Sequence, residues 1–371
     1  MEFKEYRFDE VTINFDKKRV PLSSTQRKRI QGEYRYYGAQ GVIDHINDFI
    51  FDGTYLLIAE DGENLKSKKQ DIAQVVDGQF WVNNHAHIVQ GNELCDTRYL
   101  CYLLNSMDLS GYITGSAQPK LSQSNLNAVS VFLPPITIQK EIVEYLYILD
   151  KKIAVNIAIN DNLEQQASAL FSSFYDRSNT EVRYTDLIQI LGGGTPKTGE
   201  NTYWNGNIAF FTPKDVGTPY TLITEKTITE EGLSHCNSRL YPVNTVFVTA
   251  RGTVGKVGMS GVPMAMNQSC YALVGKETHQ LLVYFYTLKA VDRLKHKASG
   301  AVFDAITTRD FESEQIMKLS DDDAKAFLCI AEPMFQKVLN NCIENLRLST
   351  LRDSLLPKLM SGEVDVSAVK L

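Results

Sequence analysis

The stretch that decides the fold is 134–175, PPITIQKEIVEYLYILDKKIAVNIAINDNLEQQASALFSSFY. Within it Leu146, Ile153, Asn160, Ala167 and Phe174 recur at heptad spacing, and Ile142, Leu149, Asn156, Leu163 and Leu170 form the companion series. Alternating steps of three and four sustained over this length define a coiled-coil seam. A helix from Gln139 to Tyr175 is roughly 55 Å long at about 1.5 Å per residue. Pro134-Pro135 supply a rigid entry, because proline suits only the first turn of a helix.

The same seam returns further along. Ala331, Val338, Asn345, Arg352 and Leu359 run beside Phe327, Met334, Asn341, Leu348 and Leu355. Here Pro333 is expected to start or kink the helix, Arg352 breaks the seam, and Pro357 is expected to end or bend it, with Gly362 as a stop signal. Asn156 and Asn160 in the first seam match Asn341 and Asn345 in the second. In an antiparallel pair Asn156 faces Asn345 and Asn160 faces Asn341. A buried amide layer weakens packing but sets register, since a slip leaves amides against aliphatic side chains.

These matches belong to a repeat of the whole chain. Sliding the 371 residues by 185 pairs Tyr99 with Tyr284, Leu103 with Leu288, Leu109 with Leu294 and Gly115 with Gly300. Lys140 then meets Lys325, Lys152 meets Lys337, Leu163 meets Leu348 and Leu170 meets Leu355. Residue type follows as well: Leu121 with Ile306, Asn125 with Asp310, Leu126 with Phe311, Val131 with Ile316. Ser122 and Thr307 are both placed to cap a following short helix. Two copies of one plan are expected.

Residues 1–135 and 178–322 carry short strand-like runs, 54–59, 79–83, 208–212 and 245–250, with helical stretches at 97–109 and 279–295. Turn signals at Asp52-Gly53, Gly192-Gly193-Gly194, Gly206-Asn207 and Gly217 separate them. These are mixed α/β (α+β) globular domains. The division expected is 1–135 (domain), 136–177 (helix), 178–322 (domain) and 323–371 (helix and tail).

Composition narrows the class. The apolar fraction, 43%, is that of an ordinary globular protein, and no window is apolar enough to span a membrane. The opening MEFKEYRFDE lacks a charged-then-apolar export signal. Cys95, Cys101, Cys236, Cys270, Cys329 and Cys342 are scattered without a CxxC pair, and read as reduced, mostly buried thiols of a cytoplasmic protein. A net charge of -6 argues against a purely electrostatic nucleic-acid binder but not against one with local basic stripes.

Catalytic motifs are missing. Runs 192–198 (GGGTPKT) and 252–256 (GTVGK) fail the spacing of a phosphate-gripping loop. Leu133-Pro134-Pro135-Ile136 lacks both ends of the run that holds a flipped adenine in a methyltransferase. His85 and His87 share one strand face but have no acidic or cysteine partner suggested, so a hydrogen-bonding strand is favoured over a metal site. The carboxylates of 60–63 (EDGE) lack a companion ExK lysine and read as a turn. Basic and amide residues are the better candidates. Lys17, Lys18 and Arg19 with Arg27, Lys28 and Arg29 form one stripe, near Arg35, Tyr36 and Tyr37. Lys66, Asn83 and Asn84 lie in loops of the same half. Lys197, Lys214, Arg251 and Lys256 fall in Gly- and Thr-rich loops of the second half, where backbone approaches phosphates closely and Arg or Asn reads base edges.

The chain resembles the DNA-specificity subunits of type I restriction-modification systems. Runs 37–62 and 81–87 (WVNNHAH) are similar to the first target-recognition domain of that family, and 192–216 (GGGTPKTGENTYWNGNIAFFTPKDV) to the opening of the second. The helix 134–175 resembles the central conserved region, and 351–364 (LRDSLLPKLMSGEV) the distal one. The resemblance implies two target-recognition domains joined by two long antiparallel coiled-coil helices with internal pseudo-two-fold symmetry. Each domain would read half of a bipartite site in double-stranded DNA, with the helices setting the gap. It implies two methyltransferase subunits and two restriction/translocase subunits as partners, carrying S-adenosylmethionine, ATP and Mg, with no cofactor on this chain. The second helix departs from the pattern, being entered through 319–333 and not through a Pro-Pro turn, which bears on the second docking surface. Two other readings stand beside this one: a self-contained methyltransferase or nuclease with an unrecognised active site, and a coiled-coil scaffold. The first requires a cofactor loop or metal carboxylates. The second has no use for two loop-rich end domains.

Overall fold

A computed structural model of the chain describes residues 2–67, 70–115, 118–217, 219–297, 305–364 and 366. Gly300, residues 367–371 of the expected last segment and part of 178–322 lie outside them. The chain divides into two compact units, Met1–Lys151 with Leu348–Leu371, and Lys152–Arg347.

The first unit opens with β1 (Lys4–Arg7), β2 (Thr12–Asn14), α1 (Ser24–Arg29), β3 (Gln31–Gly38), β4 (Gly41–Ile46) and β5 (Phe51–Ala59). It continues through α2 (Asn64–Ser67), β6 (Ala73–Val82), β7 (Ala86–Gly91), α3 (Thr97–Ser106), α4 (Gln123–Asn127) and β8 (Ser130–Leu133) into α5 (Ile136–Asp176). Six strands form one sheet in the order β2-β7-β5-β6-β3-β4, and β1 pairs separately with β8. The strand-like run 54–59 lies in β5, but Asp52-Gly53 is no turn. Gly53 sits inside β5 opposite Gly78, at a φ of 127° that suits glycine. Behind the sheet, Leu56, Ile58, Tyr99, Leu103 and Leu126 pack with Ile142, Leu146 and Leu359 of the long helical segments.

The second unit runs β9 (Thr180–Arg183), α6 (Tyr184–Leu187), β10 (Ile188–Gly192), β11 (Trp204–Phe211), β12 (Tyr220–Thr221), β13 (Lys226–Ile228), α7 (Glu230–Ser234) and β14 (Val246–Thr249). Then follow β15 (Val257–Ser260), β16 (Met264–Met266), β17 (Cys270–Gly275), α8 (Gln280–Lys297), α9 (Thr308–Ser313), β18 (Gln315–Lys318) and α10 (Asp321–Ser361). Its main sheet is β10-β17-β14-β15-β12, beside a three-stranded sheet β13-β11-β16 and a pair β18-β9. Gly206-Asn207 is a bulge within β11 and not a turn, because the register with β13 shifts between Trp204 and Ile208. Phe171 of α5 stacks on Phe285 of α8 at 4.9 Å, with Phe327 of α10 edge-on at 5.4 Å.

The repeat is closest at element level in its last strand and long helix. The ranges of β8 and β18, and of α5 and α10, coincide after the 185-residue shift. So do the caps: Ser122 accepts from Asn125 N and Thr307 from Asp310 N, a position 185 residues on. Before the variable loops the offset is shorter but the plan is the same. Thr12 pairs with Gly91 as β2 meets β7, and Ile188 pairs with Gly275 as β10 meets β17.

The second long helix corrects two boundary expectations, a start at Pro333 and an end at Pro357. Pro333 neither starts α10 nor interrupts it, and Pro357 does not end it; the helix begins at Asp321 and runs to Ser361. The start is set by Ser320, whose hydroxyl accepts from Asp323 N at 3.1 Å, and by Asp321, Asp322 and Asp323 at the positive end of the helix. Proline removes the bond to the carbonyl four residues back, and here Pro333 and Cys329, like Pro357 and Asp353, are exposed, so water can serve those carbonyls. Gly362, at a φ of 75°, then closes the helix in the left-handed region. Arg352 does interrupt the apolar seam, and it pairs with Asp150 at 2.7 Å while Tyr102 hydrogen-bonds the same carboxylate.

The cysteines are free, but only Cys95 and Cys270 are fully buried, and Cys329 is exposed. Among the described residues no helix is long and apolar enough to cross a membrane.

Candidate nucleic-acid interface

In the first unit the basic stripe separates into two kinds of residue. Lys17 and Lys18 are exposed on a 3-10 turn after β2, and Lys28 and Arg29 are exposed on α1, which a Ser23–Gln26 capping box starts. Arg19 and Arg27 are committed to the fold. Arg19 donates to Glu60 at 2.9 Å and to the Ala86 carbonyl at 2.8 Å, with 15% of its side chain exposed. Arg27 donates to Asp44 at 2.9 Å and to the Leu22 carbonyl at 2.7 Å, over the ring of Tyr36. A guanidinium satisfied by carboxylate and carbonyl has little left to offer a phosphate. Both therefore leave the candidate set.

Asn83 leaves it too. It is buried, and its Oδ1 accepts from His85 N at 2.8 Å, shaping the loop between β6 and β7. Asn84 beside it is exposed, and exposed Lys66 donates to the Gly115 carbonyl at 3.0 Å.

The histidines have the acidic partners that the spacing did not reveal. His85 Nδ1 lies 2.7 Å from Asp61. His87 is buried, with Nδ1 2.6 Å from Asp16 and Nε2 2.9 Å from the Leu121 carbonyl. Burial alone would raise the Asp16 carboxyl. Hydrogen bonds from His87 and from Ile88 N, with the charges of His87 and Arg19, outweigh it and hold Asp16 below the usual carboxylate range. Glu60 adds pairs to Arg19 and, at 3.3 Å, to Lys120. This network ties the Lys17–Lys18 turn to β7, which carries His87, and to the turn before it; His85 lies on that turn with Asn84, so the two histidines do not share a strand face. Among the described residues no group of three or more His, Cys, Asp or Glu is arranged to hold a metal.

In the second unit the cations gather around a cavity of about 740 Å³. Trp204 and Phe210 give it aromatic walls, edge to face at 5.5 Å, and Lys214, Lys226 and Lys256 stand at its rim. Arg251 is exposed next to Gly252, a lining residue whose φ is 81°. The loop is held by Thr249 Oγ1, which accepts from Lys256 N at 2.9 Å. Lys197 is exposed on the Gly-rich loop, and its carbonyl accepts from Trp204 Nε1 at 3.2 Å. Lys226 and Trp204 were not singled out in the sequence. Their relation, an ammonium 5.5 Å from an indole centroid, depends on the pairing of β11 with β13.

The amide pairs of the long helices lie in the second unit. Asn156 donates to Asn345 Oδ1 at 2.8 Å and to Glu344 at 2.8 Å, and Asn341 donates to Asn160 Oδ1 at 2.8 Å. Asn156, Asn160 and Asn341 are buried.

A duplicated frame that displays cations and amides on its loops defines a recognition protein. The comparisons with known proteins agree. The model of the type I restriction modification DNA specificity domain matches residues 1–165 and again 177–318, and the chain belongs to that family. The HindI specificity subunit of Haemophilus influenzae is 23% identical over 402 aligned positions, covering 84% of each chain. A second specificity subunit from that organism, S.HindORF215P, is 34% identical over 138 residues, 37% of this chain and 35% of its own length. The crystal structure of a type I S subunit from M. genitalium shares the fold, with a TM-score of 0.66 at 12% identity, covering 97% of this chain and 96% of that one.

Proposed function

We propose that this specificity subunit reads a bipartite, non-palindromic site in double-stranded DNA, one half through each target-recognition domain, while the paired helices set the unspecified gap. The observation that carries the reading is the repeat. Two copies of one strand-and-helix plan, each ending in a helix of identical length, suit two half-sites at a constant separation. The domains run 1–135 and 178–322, and 136–177 and 323–371 are the spacer. Asn156, Asn160, Asn341 and Asn345 act as its register. Lys17, Lys18, Lys28, Arg29, Lys66 and Asn84 face DNA in the first half, and Lys197, Lys214, Arg251 and Lys256 in the second.

The chain works in the cytoplasm with two methyltransferase subunits and two restriction/translocase subunits. These carry S-adenosylmethionine, ATP and Mg, and this chain holds none of them. Support for docking on the spacer comes from α5, where Val155, Ile157 and Ile159 are all more than a third exposed. The test is co-expression with the cognate methyltransferase and mapping of methylated adenines. Two short motifs at a fixed gap are expected; methylation without sequence preference overturns the reading.

A further inference from the structure

The cavity of the second unit combines features that an exposed lysine alone lacks. Its rim carries three ammonium groups from three separate loops and strands, and its wall is an indole that organises two of the surrounding segments. Lys226 lies over the Trp204 ring at 5.5 Å, a distance at which the ring face attracts a cation. The same indole donates its N–H to the Lys197 carbonyl at 3.2 Å and so tethers the Gly-rich loop. Lys214 has a carboxylate neighbour, Glu225, at 3.8 Å, but both side chains are largely exposed. An exposed pair of that kind contributes little and exchanges readily for a phosphate.

We infer that this cavity is where the second unit grips DNA: Lys214, Lys226 and Lys256 meet backbone phosphates, Arg251 at the lip reads a base edge, and Trp204 is the positioning residue. The inference rests on the proposed reading of this chain as the sequence-recognising subunit. The chemistry fits a polyanion whose phosphates are spaced and whose bases are flat. A rim of cations neutralises the former, while an arginine beside a glycine in the left-handed region can approach a groove edge with little steric hindrance. Trp204 touches no base in this arrangement. It holds one lysine by its ring and the loop of another by its N–H.

The full chain in complex with its methyltransferase, binding a duplex with the mapped site, provides the test. The logarithm of affinity falls linearly with that of salt concentration, by a slope of about 0.9 per phosphate neutralised. Lys226→Gln and Lys256→Gln are each expected to reduce the slope by about 0.9 with both motifs retained. Trp204→Ala is expected to match Lys226→Gln, and Trp204→Phe, which keeps a ring and loses the N–H, to recover part of the slope. Arg251→Gln is expected to relax one base position in the second half-site and none in the first. Should Trp204→Ala fail to fold, the exposed lysines and Arg251 still decide. Unchanged slopes in the lysine variants, or an unchanged motif with Arg251→Gln, overturn this inference while the bipartite reading stands. Loss of all sequence preference in the unsubstituted complex overturns the reading itself.

Discussion

The two units share five strands in the same order, β2-β7-β5-β6-β3 in one and β10-β17-β14-β15-β12 in the other, and they diverge around those strands. The first adds β4 in a hairpin with β3 and secures its loops with the buried His87–Asp16 pair. The second adds a separate sheet, β13-β11-β16, that walls a cavity. The difference teaches that the frame is constrained by backbone pairing and a common core, whereas the loops are held by whatever local means suffices. A charged network does this in one unit, and an indole with a threonine does it in the other.

Breaking the frame itself should have the largest effect. Inserting four residues near Asn160 adds about 6 Å of helix, close to two base-pair steps. Methylation mapping is expected to show a longer gap between unchanged half-sites; altered half-sites with the old gap would sink the spacer reading.

The next test separates the two loop-fastening devices. His87→Ala leaves Asp16 and Arg19 in an incomplete buried network, and losing one member of such a pair costs about 3–5 kcal/mol. Hydrogen exchange is expected to show the loss in the first unit and not in the second. The Asp16 carboxyl, held below its ordinary pKa of 3.8, adds a pH signature. Its contribution is complete above that value and is lost as pH falls toward the lower folded one. Asp16→Asn should remove that acid-side dependence.

A smaller effect distinguishes the amide layer from mere packing. Asn341→Leu leaves Asn160 Oδ1 without its donor, at a cost of about 1–3 kcal/mol, and adding Asn160→Leu should recover most of it. Additive losses in urea unfolding would mean that the two amides do not act together. Smallest of all, Lys17→Gln and Lys18→Gln should each lower the salt slope by about 0.9 without changing either motif. A changed first half-site would make these lysines base readers and not phosphate contacts.

Much of the frame was legible in the sequence, since the heptads and the 185-residue shift carry a periodicity that survives substitution. Pro333 does not mark the start of α10, because proline's cost in a helix depends on whether the carbonyl it frees can reach water. The candidate cations were legible only as a set. Arg19 and Arg27 carry the same charge as Lys17 and Lys28, and what separates them is the presence of Glu60 and Asp44, brought near by strand pairing. Lys226 passed unnoticed for the converse reason, because nothing around it in sequence announces an indole beneath it.

By itself the sequence determined that this chain is one plan written twice, with a long helix closing each copy, because helical periods and turn residues act locally. Only the tertiary structure decided which charged side chains remain free to meet another molecule. A carboxylate distant in sequence ends a guanidinium's availability once folding brings the two within hydrogen-bonding distance, and no local pattern records that encounter.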